Sequence, residues 1–179
     1  AMSIRFPQEA HLRDERRLII RPFAEADVDA VWEFFNRLPL PVRRNAWEDF
    51  EHRETVEKWA QELDYDKAVP LLALDGDRVV GEARLLYRDG GPLRLVGWVQ
   101  WLLDPDYRGA GLGTLLVNDF ITMARDSGLH HLTCMLFPDI EEAAVVTLTN
   151  LGFEAHPIAG YGVDPDGNRK DMVKMVLEL

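Results

Sequence analysis

Arg108-Gly109-Ala110-Gly111-Leu112-Gly113 is the segment whose residue types and spacing most directly permit chemistry. Glycines at alternate positions let the backbone turn tightly and present consecutive N–H groups to a ligand. The segment follows a long apolar stretch, Leu93 to Leu103, and leads into a helical pattern from about Thr114 to Ser127. The positive end of that helix adds to the loop amides, and together they suit a pyrophosphate. Arg108 adds a cation at the mouth. A Walker loop requires Gly-Lys-Ser/Thr, and no lysine is present here. The dinucleotide fingerprint requires a third glycine at position 114, occupied by Thr114, and opens the first βα unit, whereas this loop follows three or four strands. A plain strand-to-helix turn is the remaining alternative.

Glu82 is the second candidate, because it interrupts the apolar strand Val79 to Leu86. A carboxylate buried there has a raised pKa and can serve as a base; on a solvated face it is an ordinary surface glutamate. Cys134 is the one cysteine, which excludes an internal disulfide and a thiolate metal cluster, and a small core residue is its expected role. No metal site is expected. His130 and His131 open a strand and are expected at the surface.

These residues need a scaffold. Leu18 to Arg21 reads as a short strand ended by Pro22, and Asp27 opens a helix with Val31, Phe34, Phe35 and Leu38 on one face. Leu-Pro-Leu-Pro at 38 to 41 stops it, and a second, acid-rich helix is expected from Trp47 to Leu63. Val69 to Leu74 and Val79 to Leu86 read as strands joined at Asp75-Gly76-Asp77. Leu93 to Leu103 is expected to be central and covered on both faces. After the loop and its helix, closed by Gly128, come a strand at His131 to Phe137 and a helix at about Ile140 to Leu151. That helix is opened by the capping-box spacing of Asp139 and Glu142. Phe153 to His156 and Asp171 to Leu179 are closing strands around Asp164-Pro165-Asp166-Gly167-Asn168. Strand, crossover helix and strand over 93 to 137 make a parallel pair, and the hairpins make antiparallel ones. The expected fold class is therefore α/β, with a mixed, mostly antiparallel central sheet of six to seven strands flanked by about four helices. The 179 residues are taken as one domain, with 1–17 an N-terminal extension and Ala1 a remnant of tag removal.

Asp104-Pro105-Asp106-Tyr107-Arg108-Gly109-Ala110-Gly111-Leu112-Gly113 resembles the acyl-CoA signature of the GNAT acetyltransferase superfamily, Arg/Gln-x-x-Gly-x-Gly/Ala. The resemblance extends over nearly the whole chain: Ile20-Arg21-Pro22 with Asp27 is similar to the family's opening strand and helix, and Asn150-Leu151-Gly152-Phe153 to the Leu-Gly-Phe ending of its last helix. Glu33-Phe34-Phe35-Asn36-Arg37-Leu38 is similar, more weakly, to the GNAT domains of bacterial protein-lysine acetyltransferases. The resemblance implies acetyl-CoA as acyl donor and a parallel strand pair that splays to admit it. The backbone of Trp101, Leu102 and Leu103 would pair with the pantetheine arm. Arg108, Gly109, Ala110, Gly111, Leu112 and Gly113 would wrap the pyrophosphate, and Thr114 would start the helix facing it. Trp98 and Trp101 would share a face only with a strand bulge, frequent in the family; core packing is the alternative for both. The chain departs from the family where acid and base would sit. Leu93 to Leu103 carries no carboxylate, Leu148 replaces the usual tyrosine, and Glu141 replaces an asparagine that often touches CoA. Glu82 then stands as candidate base, with Tyr161, in the loop before the last hairpin, as alternative acid.

The resulting function is an N-acetyltransferase acting on a primary amine of a small molecule or a protein lysine. The alternative is an acyl-CoA-binding sensor or regulatory module with lost catalysis. A net charge of −11, from 31 acidic and 20 basic residues, disfavours nucleic-acid binding; it serves solubility or, alternatively, helps attract a cationic amine. No membrane span is expected. A cytoplasmic setting fits the single cysteine, and a homodimer is compatible with the sequence.

Overall fold

Gly76, at φ +61°, turns the chain between β3 (Ala68–Asp75) and β4 (Arg78–Leu86) at the hairpin expected there. The computed structural model describes residues 3–179, so Ala1 and its reading as a tag remnant lie outside the described residues. The other elements are β1 (Gln8–His11), β2 (Arg17–Pro22), α1 (Val28–Arg37), α2 (Leu40–Arg44), α3 (Arg53–Gln61), β5 (Val96–Leu103), α4 (Leu112–Asp126), β6 (His131–Leu136), α5 (Glu142–Asn150), β7 (Glu154–Val163) and β8 (Arg169–Glu178). The architecture is α/β, with a mixed sheet in the order β1-β2-β3-β4-β5-β6-β8-β7. The sheet is mostly antiparallel, and β5 with β6 forms the parallel pair.

The sheet has eight strands among the described residues, against six to seven expected. The additional one is β1, inside the segment taken as an extension. Its residues Gln8-Glu9-Ala10-His11 bury only Ala10, and it pairs antiparallel with β2 from Gln8↔Ile20 to His11↔Arg17. β5 is shorter than expected, because Leu93 to Leu95 continue the turn: Arg94 N–H donates to Gly91 and Val96 N–H to Leu93.

The chain divides into two compact units. One comprises Arg5–Arg84 and Trp101–Leu112. Its core gathers Phe34 and Phe35 of α1, Val56 and Ala60 of α3, Phe50 and Phe23 against Leu72, Leu74 and Val79. Phe35 stacks on Phe50 at 4.1 Å, and Trp59 meets both edge-on. The acid-rich helix is shorter than its pattern indicated. Before α3, Asp49 accepts Glu51 N–H through its side chain (3.0 Å), and its carbonyl accepts Thr55 Oγ1–H (2.5 Å). Such local side-chain bonds compete with a helical turn.

The other unit comprises Leu85–Gln100 and Gly113–Leu179, with Ser3 and Ile4. Gly97 is forced by packing, since a Cβ there would stand 2.8 to 3.0 Å from Leu129, Leu132 and Leu85. The parallel register is short: Val96↔His131, Gly97↔Leu132 and Trp98↔Thr133 pair, and then the pairing stops although both strands continue. Gly128 and Gly152, both at positive φ, end α4 and α5 as expected. The capping box at Asp139 does not form. α5 begins at Glu142, and the preceding Glu141 turns its carboxylate back to accept Phe137 N–H at 2.7 Å. Tyr161 lies within β7, not in a loop, and is 64% exposed.

Candidate active site

The glycine loop is held from below by Asp104, a buried carboxylate between β5 and a 3-10 turn at Pro105–Tyr107. Its Oδ1 accepts Asp106 N–H at 3.0 Å, capping the turn, and its own N–H donates to the Val80 carbonyl at 2.8 Å. Its Oδ2 faces Arg37 Nε at 3.6 Å and Arg78 Nη2 at 3.7 Å. Arg37, at the end of α1, also donates to the Val79 carbonyl. Tyr107 is buried beneath the loop, and its hydroxyl donates to Asp75. Helix end, strand and loop are thus tied at one carboxylate.

Above that anchor the chain passes through Gly109 at φ +75° and Gly111 at φ +93°, left-handed values that disfavour any side chain. A Cβ on Gly109 would meet nothing within 4 Å, so the loop is open at that position. Leu112 then starts α4, whose first turn carries Gly113 and Thr114. Left-handed glycines leading into a fifteen-residue helix are the parts from which an anion cradle of backbone amides is built. The residues present therefore fit a diphosphate group.

Glu82 lies on the opposite face of β4 from this anchorage. The neighbouring Gly81 packs towards Leu103 and Leu112, where a Cβ would stand 3.2 and 3.5 Å from their methyls. Alternation along the strand turns Glu82 and Arg84 the other way. Glu82 is only 3% exposed, and its Oε1 stands 3.0 Å from Arg84 Nε. Arg84 in turn donates to Glu48 Oε1 at 2.9 Å and lies 4.1 Å over the Trp59 ring, while Trp59 Nε1–H donates to Glu48 Oε2 at 2.7 Å. Burial pushes the Glu82 carboxyl up to about 7. Arg84 opposes that rise and Glu48 adds to it. Near neutrality such a carboxylate exchanges a proton readily.

Where the parallel register stops, Trp98 has its Nε1 buried with no hydrogen-bond partner among the described residues. Cys134 on β6 is free and buried, and burial raises its thiol pKa strongly. Burial also raises the Glu141 carboxyl, against the opposing Phe137 N–H bond. Leu148 is fully buried on α5. Tyr161 is exposed on β7, and His130 and His131 contact each other at the start of β6. Sequence reasoning missed Glu48, Arg84, Asp104 and Arg37 as supporting residues. Only the charges of Arg84 and Asp104 beside the singled-out Glu82 and loop could have signalled them.

A family model described as the Acetyltransferase (GNAT) family matches residues 32–153. Glucosamine 6-phosphate N-acetyltransferase of Trypanosoma brucei brucei is 36% identical over 84 residues, 44% of this chain and 53% of that protein. The chain thus spans about half the length of that curated relative. Among solved structures, the GNAT domain of S. lividans PAT superposes with a TM-score of 0.77 at 16% identity, covering 96% of each chain. The ribosomal-protein-S5-alanine acetyltransferase from Vibrio fischeri gives 0.77 at 19%, covering 90% of this chain and 92% of that one. The yncA protein from Salmonella typhimurium, with its cofactor acetyl-CoA, gives 0.76 at 23%, covering 90% and 94%. These likenesses establish the fold, and the family match covers most of the chain. The chain belongs to the GNAT acetyltransferase family.

Proposed function

We propose that this chain is an N-acetyltransferase domain that transfers an acetyl group from acetyl-CoA to a primary amine of a small molecule or a protein lysine. The observation that carries this reading is the left-handed Gly109–Gly111 turn opening directly onto α4. Arg108 to Gly113 hold the diphosphate in this reading, with Thr114 in the helix turn behind it and the backbone of Trp101 to Leu103 along the pantetheine arm. Bound acetyl-CoA supplies an activated acetyl group on a thioester.

An amine near pKa 10.4 must lose a proton before attack, which costs on the order of 4–5 kcal/mol at neutral pH. Glu82 takes that proton on its carboxylate, directly or through a water. Its burial tunes it to that task, and Arg84, held by Glu48, sets a compensating charge 3.0 Å from it. Holding the two reactants together contributes comparably, since orientation is worth roughly 7–11 kcal/mol. In the transfer the C–N bond would form as the C–S bond breaks, and the remaining excess proton of the amine would pass to the departing sulfur, so that the donor is released as the free thiol. The net charge of −11 favours a cationic acceptor. The named relatives act on an amino sugar phosphate and on a protein alanine, which supports amine chemistry without selecting between small molecule and protein. A cytoplasmic setting is supported by the free, buried Cys134. A homodimer is supported by the edge strand β7 with its exposed Tyr161 and Val163.

Leu148, buried at the position where the resemblance to the family implies a tyrosine acid, favours the second reading of a CoA-binding module without turnover. Release of free thiol from acetyl-CoA across a panel of amines and lysine peptides decides the matter. Amine-dependent release supports the enzyme, and tight CoA binding with no release on any acceptor supports the module.

A further inference from the structure

The tip of the hairpin between β1 and β2 is built against the glycine loop. Leu12 is buried, its N–H donates to the Arg16 carbonyl at 2.9 Å, and Glu15, at φ +72°, returns its N–H to Leu12 at 3.0 Å. Arg16 is paired with Asp14 at 2.6 Å and lies 4.0 Å over the ring of Tyr107, the residue beneath the loop. Between them, Arg13 N–H donates to the Ala110 carbonyl at 3.0 Å. Its side chain reaches the loop as well: a Cβ built on Gly111 would stand 3.2 Å from Arg13 Nε and 3.7 Å from Nη2. Gly111 thus leaves room for a guanidinium.

Arg16, Arg37 and Arg78 around this loop each have a carboxylate partner, whereas among the described residues none pairs with Arg13. In a chain of net charge −11, an arginine pinned by its own backbone beside an open cradle of amides, with its charge uncompensated, awaits an anion. We infer that Arg13 is a diphosphate-binding residue of the donor site, brought to the Gly109–Gly111 cradle by the N-terminal hairpin. The inference rests on the donor reading above. It makes β1 and the tip that follows it part of the binding site, and it adds a cation from outside the loop to the loop's own Arg108.

The test is calorimetric titration of the full chain with CoA and with dephospho-CoA, for the parent, Arg13→Ala and Arg13→Lys, with thermal melts to show that each variant is folded. Arg13 is exposed and its backbone bond to Ala110 survives substitution, so both variants should fold. Arg13→Ala should weaken both ligands by about tenfold or more, the scale of a charge-assisted contact. Arg13→Lys should recover part of the loss, because it keeps the charge and loses the fork. The penalty should shrink at high salt. Unchanged affinity in Arg13→Ala would overturn the inference, and so would a loss confined to CoA, which would put the guanidinium on the 3′-phosphate. A parent protein that bound neither ligand would instead sink the donor reading itself.

Discussion

Arg84 Nε lies 3.0 Å from Glu82 Oε1, yet neither atom has a hydrogen-bond partner of proper geometry. The two charges compensate each other without a directed donor on the carboxylate. Arg84 spends its directed bond on Glu48 instead. Glu82 therefore keeps most of its desolvation penalty, which is why its pKa rises to about 7 despite an adjacent cation.

Glu82→Gln keeps shape and packing and removes proton acceptance. Turnover should fall by roughly 10²–10⁴, the scale of general base catalysis. Affinity for CoA should barely change, because the Glu82 side chain faces away from the loop anchorage. The parent's kcat/KM should rise with pH through a limb near 7, absent in the variant. A variant within about threefold of the parent would leave positioning alone as the catalytic device.

The same pKa sets a stability profile. A carboxyl raised from 4.5 to about 7 on folding contributes stability that is fully present below 4.5 and lost as pH rises through 7. Glu82→Gln lacks that dependence. Its stability relative to the parent should therefore improve between about pH 5 and pH 8, by on the order of 3 kcal/mol. Urea titrations at the two pH values read this directly, and parallel profiles would contradict the assignment.

Gly111→Val places a branched side chain at φ +93° and into the space of the Arg13 guanidinium. Folding stability should drop by about 1–2 kcal/mol from backbone strain. CoA binding should be abolished, because the side chain fills the amide cradle. Undiminished affinity in a folded Gly111→Val protein would exclude the loop as the phosphate site.

Asp104→Ala removes the cap of the 3-10 turn and leaves the buried Arg37 Nε without its counter-charge. The cost should be about 2–4 kcal/mol in chemical denaturation, combining a lost cap with a broken, partly buried ion pair. CoA affinity should fall too, since the loop loses its anchor. Full affinity with reduced stability would show that the loop holds its shape unaided.

The elements were legible wherever period and turn residues agreed, as at Gly76, Gly128, Gly152 and the glycine loop. β1 was not, because a hairpin edge with one buried residue in four has no apolar alternation to detect. The helix expected from Trp47 fails for six residues because Asp49 bonds its neighbours' backbone, a competition that hydrophobic spacing does not reveal. Glu82 could be named but not oriented: every residue from Val79 to Leu85 is buried, so its strand carries no sign of which face is covered by what. Glu48, Arg37 and Arg13 reach their partners from distant segments, and nothing local to those residues marks them.

The short parallel register of β5 and β6 has a consequence for exchange with solvent. Past Trp98 and Thr133, the facing edges at Val99, Gln100 and from Cys134 to Leu136 no longer close a ladder with each other. Amides on those edges that find no other acceptor should trade hydrogen for deuterium early, although they lie inside a sheet of eight strands. A guest that lies between the strands and supplies the missing acceptors should slow that exchange. Deuterium uptake would then fall at Val99–Gln100 and Cys134–Leu136 when CoA is added, while Val96 to Trp98, already paired, should change little.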